Sequence, residues 1–103
     1  MKLTIENGAS GEIILVVDGE VDMETSPKLR DEIKKHLKKK PSAIKLQMAG
    51  VPYIDSSGIA VLIEGMRWTK KKDVAYALVN PSAGVRDVLE MSKLLAVFTI
   101  EEG

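Results

Sequence analysis

The sequence from Ala43 to Lys72, AIKLQMAGVPYIDSSGIAVLIEGMRWTKKK, contains the pattern on which the fold assignment depends. Apolar and polar residues alternate from Ala43 to Met48, which predicts a β-strand, and Gly50-Val51-Pro52 ends that alternation. From Gly58 to Lys72 the chain is apolar on most sides of a helical projection until three lysines follow. The segment therefore predicts a strand that leads through a short loop into a largely buried helix.

Similar patterns on both sides of this segment predict the remaining elements. Strands are predicted at residues 3–6, 13–17, 74–79 and 96–100, with the strand at 13–17 covered on both faces. Helices are predicted from an N-cap at Ser26 to a stop before Pro41, and again after Asn80-Pro81-Ser82. We therefore expect one α/β domain, residues 1–103, because strands and helices alternate. Its mostly parallel sheet should have four to five strands, the first antiparallel, with three or more helices.

Composition argues against several classes of function. The chain has no Cys and one His, so disulfides, Cys nucleophiles and histidine-rich metal sites are not expected, and no cofactor is predicted. Fifteen Lys and Arg balance fifteen Asp and Glu, which argues against nucleic-acid binding through overall charge. The charge is segregated, however: residues 1–25 carry one lysine against six carboxylates, and residues 26–40 carry seven cations against two. No apolar run approaches the ~20 residues of a membrane span and no secretory signal is present, so a cytoplasmic location is expected.

Functional groups in a parallel sheet are expected where strands end and helices begin. Three loops meet that description, at residues 19–26, 52–58 and 80–84. The most informative is Asp55-Ser56-Ser57-Gly58, which combines a carboxylate with two hydroxyls at a helix start. Spacing alone favours simple N-capping. The alternative is a serine that carries a phosphate, which unsatisfied helix amides would stabilise.

Other chemistry is less well supported by the sequence. Serine catalysis needs a general base, and His36 lies among lysines, where we expect it at the surface. The acidic stretch Asp18–Glu24 lacks the calcium-loop pattern, which favours a partner-facing loop over a metal site. The lysine clusters at 34–40 and 70–72 are typical of solvated helix ends, with contacts to anionic lipid as the alternative. Trp68 is expected to be core or partly exposed packing.

Three segments together resemble STAS domains: Gly19-Glu20-Val21-Asp22, Tyr53-Ile54-Asp55-Ser56-Ser57-Gly58-Ile59 and Asn80-Pro81-Ser82. The closer resemblance is to bacterial anti-anti-sigma factors, also called anti-sigma factor antagonists. That resemblance implies a protein that is not an enzyme and is monomeric when free. It also implies two partners, an anti-sigma factor serine kinase of the GHKL type and a PP2C-like phosphatase. The unphosphorylated protein is expected to bind the kinase, which releases the sigma factor.

The resemblance also implies roles for individual residues. Ser56 is the expected phosphorylation site, Asp55 orients the loop, Ser57 caps the helix and Gly58 allows the chain to enter the helix closely. The expected partner-binding residues are Glu20, Asp22, Asp55, Ser56, Ser57 and Gly58. STAS proteins also serve as subunits of lipid-trafficking ABC transporters, where they bind the ATPase, and this is the alternative function.

Overall fold

The computed structural model describes residues 1–103 and contains one five-stranded sheet. The sheet order is β1-β2-β3-β4-β5, with β1 antiparallel to β2 and the other pairs parallel, as predicted. The elements are β1 Lys2–Asn7, β2 Glu12–Asp18, α1 Ser26–Leu37, β3 Ala43–Gly50, α2 Ser56–Lys71, β4 Ala75–Val79, α3 Ala83–Met91 and β5 Ile100–Glu101. Short 3₁₀ helices lie at Ala9–Gly11 and Leu95–Val97.

The core lies on one face of the sheet. Leu15, Leu46 and Leu78 are fully buried in neighbouring strands and form one cluster with buried residues of all three helices. The prediction that 13–17 is covered on both faces is wrong, because the alternate residues Ile14 and Val16 are only half-buried. All three helices contribute to the single core, so the opposite face of the sheet has no helix to cover it.

An ion-pair network lies on that opposite face. The Lys45 ammonium is 2.9 Å from a Glu101 carboxylate oxygen and 3.1 Å from one of Glu12. Lys45 lies beside Ala77 in the sheet, and this small residue lets the lysine reach across β4 to β5. Hydrogen bonds to Glu101 and then to Glu12 raise the pKa of Lys45. The network joins β2, β3 and β5 on the face of the sheet that no helix covers.

Three local predictions are wrong for identifiable reasons. The expected strand at 96–100 begins with the 3₁₀ turn Leu95–Val97, and β5 is only Ile100–Glu101, because the Val97 amide bonds back to the Leu94 carbonyl. The N-cap of α1 is Thr25 rather than Ser26, which is buried inside the first turn. His36 is buried rather than at the surface, since it follows Ile33 on the apolar stripe and its Nε2 lies 3.2 Å from Glu32.

Helix α2 begins at Ser56, two residues before the predicted start. Its buried stripe is narrower than expected and consists of Gly58, Val61, Leu62, Gly65 and Thr69. The apolar residues beside this stripe, including Met66 and Trp68, are half-buried. No helix of the structure has both the length and the apolar character needed to cross a membrane.

Candidate functional site

Backbone hydrogen bonds hold the first two of the three predicted loops together. The Val21 amide donates to the Tyr53 carbonyl at 3.1 Å, and the Asp55 amide donates to the Val21 carbonyl at 3.1 Å. Val21 and Ile54 thereby form an isolated parallel bridge beyond the ends of β2 and β3. This bridge places the acidic loop directly beside the loop that carries the two serines.

The third loop contacts the second through a serine and a glycine. The Ser82 hydroxyl donates to the Val51 carbonyl, and the same oxygen accepts from the Val85 amide at 3.2 Å as the N-cap of α3. A Cβ at Gly84 would overlap the Pro52 carbonyl oxygen, so this close approach requires glycine. The three loops predicted from the sequence therefore form one surface at the carboxyl ends of the parallel strands.

Asp55 is the residue that caps α2. Its backbone is extended, and its Oδ1 accepts from the Ser57 amide at 2.9 Å and the Gly58 amide at 3.2 Å. The expectation that Ser57 caps the helix is therefore wrong. A carboxylate at the N-cap reaches the amides two and three residues ahead, which are those of Ser57 and Gly58 here.

Ser56 and Ser57 differ in exposure. Ser56 is the first residue of α2 and is exposed, whereas Ser57 is half-buried. Because Asp55 supplies the cap, neither hydroxyl is needed to satisfy the helix amides. The Ser56 hydroxyl therefore faces solvent, and it makes no hydrogen bond that stabilises the fold.

Gly58 allows α2 to start against the core. It is buried, and a Cβ at this position would overlap the side chains of Ile54 and Val21. The structure therefore confirms close entry of the chain into the helix at Gly58. The same contact fixes the direction of α2 relative to the bridge between the two loops.

The Asp22 carboxylate shapes the acidic loop. Its Oδ1 accepts from the Glu24 amide at 2.9 Å, the Thr25 amide at 3.0 Å and the Thr25 hydroxyl at 3.1 Å. These bonds, the Thr25 amide first, lower the pKa of Asp22. Glu20 and Glu24 are exposed, so their carboxylates point to solvent while the carboxylate of Asp22 is used within the loop. No three acidic or histidine side chains converge as a metal site would require.

Two exposed apolar side chains on this surface were not identified from the sequence. Met23 is 74% exposed in the acidic loop and Tyr53 is 51% exposed just before the serine motif. Methionine and tyrosine are enriched at protein interfaces relative to the rest of a protein surface. In the sequence, each is an apolar residue within a polar loop. Residue propensities alone cannot show whether such a residue is exposed or turns into the core.

The structure changes the expected surroundings of a phosphate on Ser56. Sequence reasoning places such a phosphate on the free amides of the helix start. The amides of Ser57 and Gly58, however, already donate to Asp55. A phosphate on Ser56 would therefore extend into solvent beside the Asp55 carboxylate and the acidic loop.

Comparison with known proteins gives a family and a fold. The family model described as STAS domain matches residues 2–103. No curated protein sequence matches the chain significantly. Among solved structures, a putative anti-sigma factor antagonist from Thermotoga maritima is 22% identical with a TM-score of 0.89, covering 98% of this chain and 86% of that one.

Two structures of one further protein are also similar. The anti-sigma factor antagonist SpoIIAA in its unphosphorylated form is 21% identical with a TM-score of 0.83, covering 99% of this chain and 88% of that one. SpoIIAA from Bacillus in its phosphorylated form is 20% identical with a TM-score of 0.77, covering 99% of this chain and 91% of that one. At these identities the similarity establishes a shared fold.

Proposed function

This chain belongs to the STAS domain family, and from that premise we propose that it is an anti-sigma factor antagonist switched by phosphorylation of Ser56. In its unphosphorylated form it binds an anti-sigma factor serine kinase of the GHKL type in the cytoplasm and releases the sigma factor. Phosphorylation by that kinase ends the interaction, and a PP2C-like phosphatase restores it. The protein is then the substrate and binder in this cycle.

The observation that carries the proposal is the exposed Ser56 hydroxyl. It lies at the first residue of α2, and Asp55 supplies the cap that a serine at this junction would otherwise provide. A kinase can therefore transfer phosphate to this oxygen without breaking a bond on which the fold depends. The half-buried Ser57 is the poorer acceptor.

The surface around Ser56 has the character of a protein-binding site. Glu20 and Glu24 present carboxylates, and Met23 and Tyr53 present apolar side chains on the same end of the sheet. An aromatic or methionine side chain surrounded by charges is a common centre of a protein interface. Among the residues expected to bind a partner, Asp22, Asp55 and Gly58 contribute by holding this surface in shape.

Electrostatics explains how one phosphate could end binding. A phosphoserine adds ≈ −1.5 to −2 charge at pH 7 together with three acceptor oxygens. The amides of Ser57 and Gly58 already donate to Asp55, so the added charge stays at the surface where a partner would dock. The unphosphorylated and phosphorylated forms of SpoIIAA both share this fold, which supports a switch that keeps the fold.

Phosphorylation is tested with the kinase that this chain captures from an extract of its own cells. After incubation with that kinase and ATP, mass spectrometry should find one phosphate, on Ser56. Ser57→Ala should accept phosphate like the unaltered protein, and Ser56→Ala should accept none. Phosphate on Ser57 alone, or capture of a transporter ATPase in place of a kinase, contradicts the proposal.

Binding is tested by titrating the kinase with three variants. Ser56→Ala should bind like the unaltered protein, because the hydroxyl makes no structural bond. Ser56→Asp should weaken binding by at least about tenfold, or ~1.4 kcal/mol, through repulsion and desolvation at the contact. Ser10→Asp adds the same charge at an exposed serine in the turn Ala9–Gly11, outside the three loops, and is the matched control. An equal loss with Ser10→Asp would contradict a contact at Ser56.

A further inference from the structure

A groove lies at the end of α2 that is opposite Ser56. It runs between the C-terminal ends of α1 and α2, encloses about 240 Å³ and is lined by Lys34, Leu37, Lys38, Trp68, Lys71 and Lys72. We call these six residues the lysine groove. None of them belongs to the surface formed by the three loops.

The floor of the lysine groove is apolar and its rim is cationic. Leu37 is buried and Trp68 is half-buried, so both present carbon surface at the base. The Lys34 ammonium lies 5.0 Å from the centre of the Trp68 ring, a cation–π distance. Lysine side chains can lay their aliphatic stems along such a floor while the ammonium groups remain in water.

Four more lysines lie within two residues of the groove lysines in the chain, namely Lys35, Lys39, Lys40 and Lys70, and all eight lysines are exposed. None of the eight takes part in an ion pair, whereas Arg30, Lys45 and Arg86 each do.

We propose that the lysine groove docks on an anionic membrane surface, with the ammonium groups on lipid phosphates and Trp68 at the headgroup level. A cluster of this many lysines beside an aromatic ring matches the chemistry of anionic bilayers, which attract each lysine near the surface. Tryptophan suits that depth because its ring is apolar and its N–H is polar. The groove offers no arginine fork and mostly carbon surface between its charges, which suits a diffuse layer of headgroups better than an acidic peptide.

This orientation would leave the serine surface accessible. Ser56 and Lys71 are the first and last residues of α2, so they lie about 22 Å apart along the helix axis. A protein held through the lysine groove therefore points the Ser56 end away from the bilayer. The proposal does not rest on phosphorylation of Ser56.

The test uses the full chain and vesicles of two compositions, phosphatidylcholine alone and phosphatidylcholine with phosphatidylglycerol. Trp68 is the only tryptophan, so its emission reports directly on the groove. On the anionic vesicles we expect co-sedimentation and a blue shift of Trp68 emission, both reversed by high salt. Phosphatidylcholine alone should give neither.

Charge reversal with a matched control locates the contact. Lys38→Glu with Lys71→Glu should lower vesicle partitioning by about thirtyfold or more, since each lysine near the surface contributes about fivefold. Lys2→Glu with Lys28→Glu makes the same change in net charge on exposed lysines outside the groove and should change partitioning by less than about threefold. Circular dichroism confirms that both variants are folded.

Several results would overturn the proposal. These are absence of vesicle binding at low salt, equal binding to phosphatidylcholine, equal loss in the two double variants, and co-sedimentation with unchanged Trp68 emission. Salt-sensitive dimers without vesicle binding would assign the groove to a second copy of the chain. Binding of RNA without vesicle binding would assign it to nucleic acid.

Discussion

The two ends of helix α2 are built on different physical principles. At the N-terminal end, Asp55 caps the helix, Gly58 packs without a side chain against the core, and hydrogen bonds order the neighbouring loops. At the C-terminal end, exposed lysines surround an apolar floor and make no ion pairs. Hydrogen bonds and packing therefore fix the positions of the groups at the N-terminal end, whereas positive charge is the main feature of the C-terminal end.

This difference indicates what each end can recognise. A single hydroxyl at a fixed position suits a partner that must distinguish one added group, because a small change in geometry or charge alters every nearby contact. Flexible lysines suit a partner that is itself diffuse, because no single distance has to be maintained. We therefore expect substitutions to affect folding strongly at the first end and weakly at the second.

The largest expected effect is at Gly58. Gly58→Val should lower the free energy of unfolding by about 3 kcal/mol, because its side chain would overlap Ile54 and Val21. Urea denaturation measures the change. Ala60→Val, at an exposed position of the same helix, should cost less than about 1 kcal/mol. This control measures the cost of valine's lower helix propensity without the steric overlap that Gly58→Val adds. Lys71→Ala, at the C-terminal end of α2, should change the free energy of unfolding by less than about 0.5 kcal/mol. A loss as large as that of Gly58→Val would contradict the difference between the two ends.

The next effect concerns which residue caps α2. Asp55→Ala should cost about 1 kcal/mol, because the amides of Ser57 and Gly58 lose their acceptor. Ser57→Ala should cost less than about 0.5 kcal/mol, since its hydroxyl is not the cap. Thermal or urea denaturation of the two variants compares them directly. The reverse order would restore Ser57 as the cap.

The order of elements could be predicted from the sequence because each element has its own periodicity. Alternation in β3 and the apolar stripe of α2 are local patterns, and their succession determines a mostly parallel sheet. The short run from Ala96 to Ile100 could not be assigned in this way. A few apolar residues fit a 3₁₀ turn as well as a strand, and tertiary packing decides between them.

The meeting of the three loops was predictable, and the hydrogen bonds within them were not. Polar residues after β2, β3 and β4 marked the end of the sheet where these loops lie together, because parallel strands end on the same side. The sequence could not show whether Asp55 or Ser57 accepts from the helix amides, since both residue types cap helices. His36 was misplaced because its neighbours in sequence are lysines, while its neighbour on the helix face is Ile33.

The smallest expected effect is a dependence on pH that arises in the acidic loop, which lies beside the N-terminal end of α2. Hydrogen bonds from Thr25 and Glu24 lower the pKa of Asp22 in the folded state. A lowered folded pKa stabilises the protein above the unfolded value of about 3.9, and that contribution is lost as pH falls through the folded pKa. Asp22→Asn keeps an acceptor without the charge, so its deficit in unfolding free energy should be present at neutral pH and vanish in acid. Glu24→Gln is the control, because it removes an exposed charge that accepts no hydrogen bond within the loop. Its difference in unfolding free energy from the unaltered protein should not disappear in acid in this way. If the loss caused by Asp22→Asn is the same at all pH values, the charge of the carboxylate does not order the loop.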